Sequence, residues 1–248
     1  MKKMLDGSLL SSSLKENIKS EVSFLQERKG IEPHLIVITT INNEDYEQTI
    51  EPLRLAAYEV GLSTELIEIP VDYSLEMLKD LINELNEMRE ITGIVVRIPN
   101  IDFIEWQEII QLIHPDKDVE GLHPSNFWRF GYKVSSNVPC LAMSVLTILK
   151  DEGISLKGKH LVVIGDQKPL LTPISLLKET NVTICEPQTS NLEPLMKQAD
   201  ILIRISNKEL DSMELSNPST MTFEISQDYL TQINNLMIFS NSLKRMKC

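Results

Sequence analysis

The sequence predicts an α/β protein of two domains with parallel sheets, the second half being doubly wound. Three observations carry that prediction. Short apolar runs alternate with amphipathic helical stretches from end to end. The alternation breaks over 114–139, a stretch rich in proline and turn formers. A chain of 248 residues is long enough for two small cores.

In order, Leu10, Leu14, Ile18, Val22 and Leu25 mark one face of a helix that Lys29-Gly30 closes. Leu35-Ile36-Val37-Ile38 is a continuous apolar run, as a strand covered on both faces has. A helix from Leu53 to Tyr58 ends at Gly61, and the strand Leu66–Ile69 stops at Pro70. Ser74 caps a helix bearing Leu75, Leu78, Leu81, Ile82 and Leu85. Gly93–Val96 is the next buried strand, and a helix around 104–113 follows. After the interruption come a helix around 141–149, the strand Leu161–Ile164, a helix at 175–178 and the strand Val182–Cys185. A helix over 192–199 and the strand Ile201–Ile203 complete the alternation, which weakens after Phe223. The expected division is a first domain over 1–118, a connection over 119–139 and a second domain over 140–248, with a cleft between the domains.

Composition narrows the function classes. The net charge is −12, and the only basic cluster is Lys244-Arg245-Met246-Lys247, so a nucleic-acid partner is not expected. Cys140, Cys185 and Cys248 are far apart and show no Cys-x-x-Cys spacing. That speaks against disulfides or a zinc site and for a reducing, cytoplasmic compartment. Met1-Lys2-Lys3 is followed by Asp6 and serines instead of an apolar run, so no leader is expected. No apolar stretch is long enough to cross a membrane.

Several stretches, in order, carry a family resemblance: Leu5-Asp6-Gly7, Ala56-Ala57-Tyr58-Glu59-Val60-Gly61, Gly93–Val96 with Pro99, and above all Pro115-Asp116-Lys117-Asp118-Val119-Glu120-Gly121-Leu122-His123-Pro124-Ser125-Asn126. Val138-Pro139-Cys140, Leu156–Lys159, Val162–Gly165 and Ala199–Leu202 continue it. Together they resemble the methylenetetrahydrofolate dehydrogenase/methenyltetrahydrofolate cyclohydrolase family. The resemblance implies a folate-binding first domain, a Rossmann-like second domain and a homodimer. It also implies oxidation of methylenetetrahydrofolate by a nicotinamide cofactor, then hydrolysis of the methenyl product.

The family's site residues fall on changed positions. Counted back from Gly61, the essential lysine is Leu53, which can neither give nor take a proton. The folate-stacking tyrosine falls on Thr49, with Tyr46 about one helical turn away. The glutamine that orients the lysine is Arg97, and the pterin-binding aspartate is Glu120. With Pro99 and Asp118 these make a remnant folate cleft, in which an Arg97–Glu120 ion pair is expected. In the cofactor loop, Gly165 and Pro173 persist, while Asp166 and Gln167 replace the residues suited to a phosphate and Leu171 replaces a glycine. Ile205-Ser206 replaces a Val-Gly pair, and the helix returning to the first domain is expected to be missing.

Each sharp reading has a plain rival. Asp118 and Glu120 form either a catalytic carboxylate pair or a fixed turn, and His123 is a base or a turn residue. His114 and His160 lack neighbours at metal-ligand spacing, and Cys140 reads as a small core residue. The aromatic group Phe127-Trp128-Phe130-Tyr132 is read as packing before ligand stacking. Glu186, after Val182–Cys185, stands where NAD-binding sheets place a ribose-binding acid. The preferred reading is a member that is catalytically inactive or repurposed as a binding or assembly protein, with no metal, no cofactor and a small-molecule ligand in the cleft. The alternatives are an active NAD(P)-dependent enzyme with atypical residues, NADP being its cofactor, and a different reaction at Arg97 and Glu120.

Overall fold

The computed structural model describes residues 2–5, 8–41, 46–99, 101, 103–132, 137–165, 174, 179–205, 220–244 and 246. It divides into two compact units. One holds Met1–Leu10 and Leu141–Asn234, the other Ser11–Cys140 and Asn235–Cys248.

The second of these is built on a three-stranded parallel sheet in the order β3-β2-β4, with β2 at His34–Thr40, β3 at Ser63–Ile69 and β4 at Gly93–Arg97. The central strand β2 is buried from Leu35 onward, which is what its unbroken apolar run requires. Around the sheet lie α1 (Ser8–Phe24), α2 (Tyr46–Thr49), α3 (Glu51–Val60), α4 (Leu75–Glu87) and α5 (Phe103–Leu112). Gly61 ends α3 at φ 77°, a conformation that favours glycine. The Ser74 hydroxyl accepts from the Met77 N–H at 3.1 Å and caps α4, as its sequence position predicts. One apolar cluster joins Ile36, Ile38, Leu78, Ile82, Ile94 and Ile109 from β2, α4, β4 and α5.

The other unit carries a five-stranded parallel sheet in the order β1-β8-β7-β5-β6. Its strands are β1 (Lys2–Leu5), β5 (His160–Ile164), β6 (Asn181–Cys185), β7 (Ile201–Ile205) and β8 (Met221–Ile225). Helices α7 (Cys140–Asp151) and α8 (Leu192–Lys197) belong with it, and Val162, Leu202, Leu192 and Met196 share a core.

Three expectations need correction. Residues 2–5 are a strand of the five-stranded sheet, paired with β8, and not part of the first domain. Residues 119–139 are not a separate connection; they fold with the three-stranded unit and include α6 (Pro124–Gly131). The return helix is present as α9, Gln227–Lys244, whose residues from Asn235 onward group with the three-stranded unit. Its apolar periodicity is hidden because Asn235, Asn241 and Ser242 are buried beside Leu236, Phe239 and Leu243. Ser242 satisfies itself on the Thr92 hydroxyl at 2.8 Å. The expected helix at 175–178 lies outside the described residues.

Candidate functional site

Arg97 is the last residue of β4, at the carboxyl edge where open α/β sheets bind ligands. The loop carrying Glu120 is laid against the same strand. Ile94 donates its N–H to Lys117 O at 2.9 Å and forms a bridge with Asp118. A Cβ on Gly93 would come within 2.4 Å of Val119, and one on Gly121 within 2.2 Å of the Val138 backbone, so only glycine permits this approach. The consequence is a two-pronged ion pair. Arg97 donates from Nη1 to Glu120 Oε2 at 2.8 Å and from Nη2 to Glu120 Oε1 at 2.6 Å. Burial opposes the guanidinium charge, but the Glu120 carboxylate outweighs it and raises Arg97 above its usual pKa.

The other predicted positions divide clearly. Leu53 is 0 % exposed on the inner face of α3, with Ala57 and Val60. Thr49 and Pro99 are half-buried. Tyr46 is engaged elsewhere: its hydroxyl accepts from Arg54 at 2.8 Å and donates to Glu51 at 3.2 Å. Asp118 is buried, and its Oδ2 accepts from His123 N–H at 2.7 Å and Asn126 Nδ2 at 2.9 Å. It therefore organises the turn into α6, where His123 Nδ1 accepts from the Ser125 N–H. Burial is the main reason the Asp118 carboxyl sits above its ordinary range. Cys140 is buried, its Sγ 3.1 Å from Val119 O, and burial pushes its thiol well up. His114 accepts from Asp116 N–H, and His160 contacts Gln198 O and Thr183 Oγ1, both structural uses. No group of metal ligands occurs among the described residues. Trp128 and Tyr132 are 61 % and 69 % exposed, and their rings lie against each other with centroids 6.4 Å apart.

Two supports went unrecognised in the sequence. Lys117 is 1 % exposed and its Nζ donates to the carbonyls of Leu85, Asn86 and Met88 at 2.6–2.7 Å, closing the end of α4. Asn241 of α9 donates to Val119 O and Val138 O, both at 2.9 Å, and pins the loop from its other side. Lysine within an otherwise polar loop gives no sign of burial, and Asn241 is far from the loop in sequence.

In the five-stranded sheet, β5 is the point where strand order reverses, since β6 lies on one side and β7 on the other. Gly165 follows β5 directly and donates its N–H to Cys185 O at 3.0 Å. Gly165 and Glu186 are therefore lateral neighbours at the carboxyl edge. Glu186 is half-buried, and among the described residues its carboxylate receives one long contact, from Gln188 Nε2 at 3.4 Å.

Comparison with known proteins identifies the lineage. Residues 5–120 match the catalytic domain of the tetrahydrofolate dehydrogenase/cyclohydrolase family, and residues 139–210 match its NAD(P)-binding domain. The chain belongs to the tetrahydrofolate dehydrogenase/cyclohydrolase family. It is 38 % identical over 206 residues to the bifunctional protein FolD of Oceanobacillus iheyensis, a match covering 82 % of this chain and 72 % of the relative. The crystal structure of the bifunctional FolD from Campylobacter jejuni superposes with a TM-score of 0.84 at 26 % identity, covering 100 % of this chain and 99 % of the other. A Trypanosoma brucei relative, solved with NADP and an inhibitor, shares the fold with a TM-score of 0.82 at 20 % identity over 99 % and 98 % of the two chains.

The family assignment corrects the expectation that no cofactor is used, because an NAD(P)-binding domain is what residues 139–210 match. The described residues fit such a group: a strand-order reversal, a glycine directly after β5 and an acid at the end of β6. Of the residues named for the loop, Gly165 is buried, while Asp166, Gln167, Leu171 and Pro173 lie outside the described residues, as does Ser206.

Proposed function

We propose that this family member is an NAD(P)-linked methylenetetrahydrofolate dehydrogenase that has lost the cyclohydrolase step. The relatives it matches are bifunctional FolD proteins, and the one from Campylobacter jejuni is a bifunctional dehydrogenase/cyclohydrolase enzyme, which favours the active alternative over a repurposed, inactive chain. The observation that carries the division is Leu53, wholly enclosed where the family resemblance places the lysine. Hydrolysis needs a group that moves a proton to or from the reacting atoms, and an alkyl side chain moves none. Hydride transfer asks less of the protein: the two reactants must be held in line and kept from water. When bound, NAD(P) supplies the hydride acceptor.

The Arg97–Glu120 pair is compatible with this. A carboxylate offers about four lone-pair sites, and the guanidinium uses two, so Glu120 can still accept N–H groups of a pterin ring. The pair is also net neutral, so it sets no unbalanced positive charge against the cationic methenyl product. A homodimer in a reducing compartment belongs to the same reading. The test is to assay the two half-reactions separately on the purified chain. Reduction of NAD(P) by methylenetetrahydrofolate is expected, with methenyl hydrolysis no faster than in buffer. Absence of hydride transfer, or protein-accelerated hydrolysis, would overturn the proposal.

A further inference from the structure

We infer that Glu186 makes the dinucleotide site selective for NAD over NADP, by accepting the hydroxyls of the adenosine ribose and repelling a 2′-phosphate. The inference deepens the proposed function and rests on it. It begins from placement. Glu186 is the first residue after β6, beside Gly165 at the point where strand order reverses. It lies about 20 residues after that glycine, the separation at which doubly wound sheets present an acid to the ribose.

The turn around it is fixed from within. Glu186 N–H donates to Thr189 Oγ1 at 3.1 Å, and Thr189 N–H returns to Glu186 O at 3.0 Å. Pro187 removes one further freedom from the same turn. Among the described residues the carboxylate is held only by the long Gln188 contact, so two hydroxyl donors can reach it there without breaking a strong bond.

The turn itself supplies no cation for a phosphate. From Glu186 to Met196 the sequence has no lysine or arginine, and it adds a second carboxylate, Glu193. Lys197, the nearest following cation, is paired with Glu193 at 2.6 Å. Arg204, at the carboxyl end of β7, is 3.4 Å from Glu224 on β8. A 2′-phosphate carrying nearly two charges would meet Glu186 with no opposite charge from this turn.

Calorimetric titration of the full chain with NAD and with NADP tests this without reference to turnover. The wild type should bind NAD about tenfold or more tightly than NADP, the scale of a hydrogen-bonded charge. Glu186→Ser should narrow that ratio to about threefold or less, and Glu186→Asp should keep most of it, with circular dichroism confirming that both variants are folded. Equal or tighter NADP binding by the wild type, or a ratio unchanged in Glu186→Ser, would overturn the inference. Turnover with methylenetetrahydrofolate and NADP would leave the proposed function standing while removing this inference. NAD selectivity without turnover would do the reverse, and binding of neither dinucleotide would remove both.

Discussion

The two sheets treat the same place in opposite ways. Along β4 the polar groups have turned to protein partners: at its carboxyl edge Arg97 grips Glu120 with two hydrogen bonds, and beside its amino end Asp118 holds the turn into α6 and Lys117 closes α4. At the carboxyl edge of β5 and β6, Glu186 keeps a half-buried carboxylate with a single long contact among the described residues. Substitution at the first edge is therefore felt as stability, and substitution at the second as ligand choice. An edge whose charges are mutually satisfied has fewer groups left to recognise a substrate, and those that remain are lone pairs on groups already fixed.

The largest expected effect is at Lys117. Replacing it with methionine keeps the volume but leaves three carbonyls without their ammonium donor. Each such group costs about 1–3 kcal/mol, so Lys117→Met should lower unfolding free energy by about 3–5 kcal/mol in urea titration. A loss below about 1 kcal/mol would mean that water replaces the lysine and that the end of α4 is not closed by it.

Next comes the ion pair. Its side chains are 22 % and 13 % exposed, so solvent screens it in part. Glu120→Ala should cost about 1.5–3 kcal/mol, mostly from stranding the guanidinium. The double variant Arg97→Met/Glu120→Leu should recover most of that loss, since two apolar groups need no partners. A double variant as unstable as Glu120→Ala would show that packing, not pairing, decides the matter.

The comparison also explains what could be read in advance. The pairing of Arg97 with Glu120 was legible because the family resemblance puts both positions in one enclosed cleft, where a guanidinium demands a carboxylate. Most strands and helices were legible for a similar reason: Leu35–Ile38 and Leu161–Ile164 are continuous apolar runs between turn formers. β1 was missed because Lys2-Lys3 dilutes a four-residue strand that is completed only by pairing with β8, over 200 residues later. α9 was missed because buried asparagine and serine, satisfied by distant partners, read as surface residues. The cofactor expectation failed differently: it weighed the glycines missing from one loop above the strand order, which no single loop encodes.

A smaller effect should follow pH at Asp118. Its carboxyl titrates above the ordinary 3.8, chiefly through burial, with Asn126 and the backbone of His123 and Leu122 partly offsetting that. A raised folded value means that the folded chain holds the proton more firmly than the unfolded chain. The group's favourable contribution is then complete below pH 3.8 and is lost as pH climbs through the folded value. Asparagine at this position does not titrate. The stability difference between Asp118→Asn and wild type should therefore move in the variant's favour as pH rises from about 3 to 7. A flat difference across that range would indicate that the hydrogen bonds cancel the burial.

The smallest stability effect should be at Glu186, and its smallness is what the comparison turns on. Among the described residues the carboxylate's only contact is a 3.4 Å hydrogen bond from Gln188, too long to contribute much. The turn that holds the residue uses its backbone and Thr189, not its side-chain oxygens. Glu186→Gln keeps the size and removes the charge, so unfolding free energy should stay within about 0.5 kcal/mol of wild type. Thermal unfolding without ligand checks this, and repeating it with saturating NAD adds the contrast. If the charge serves a ribose, the ligand-induced rise in melting temperature should shrink in the variant although the unliganded value does not move. A variant destabilised by more than about 1 kcal/mol without ligand would place Glu186 among the structural groups, as at the β4 edge, and erase the distinction between the two edges.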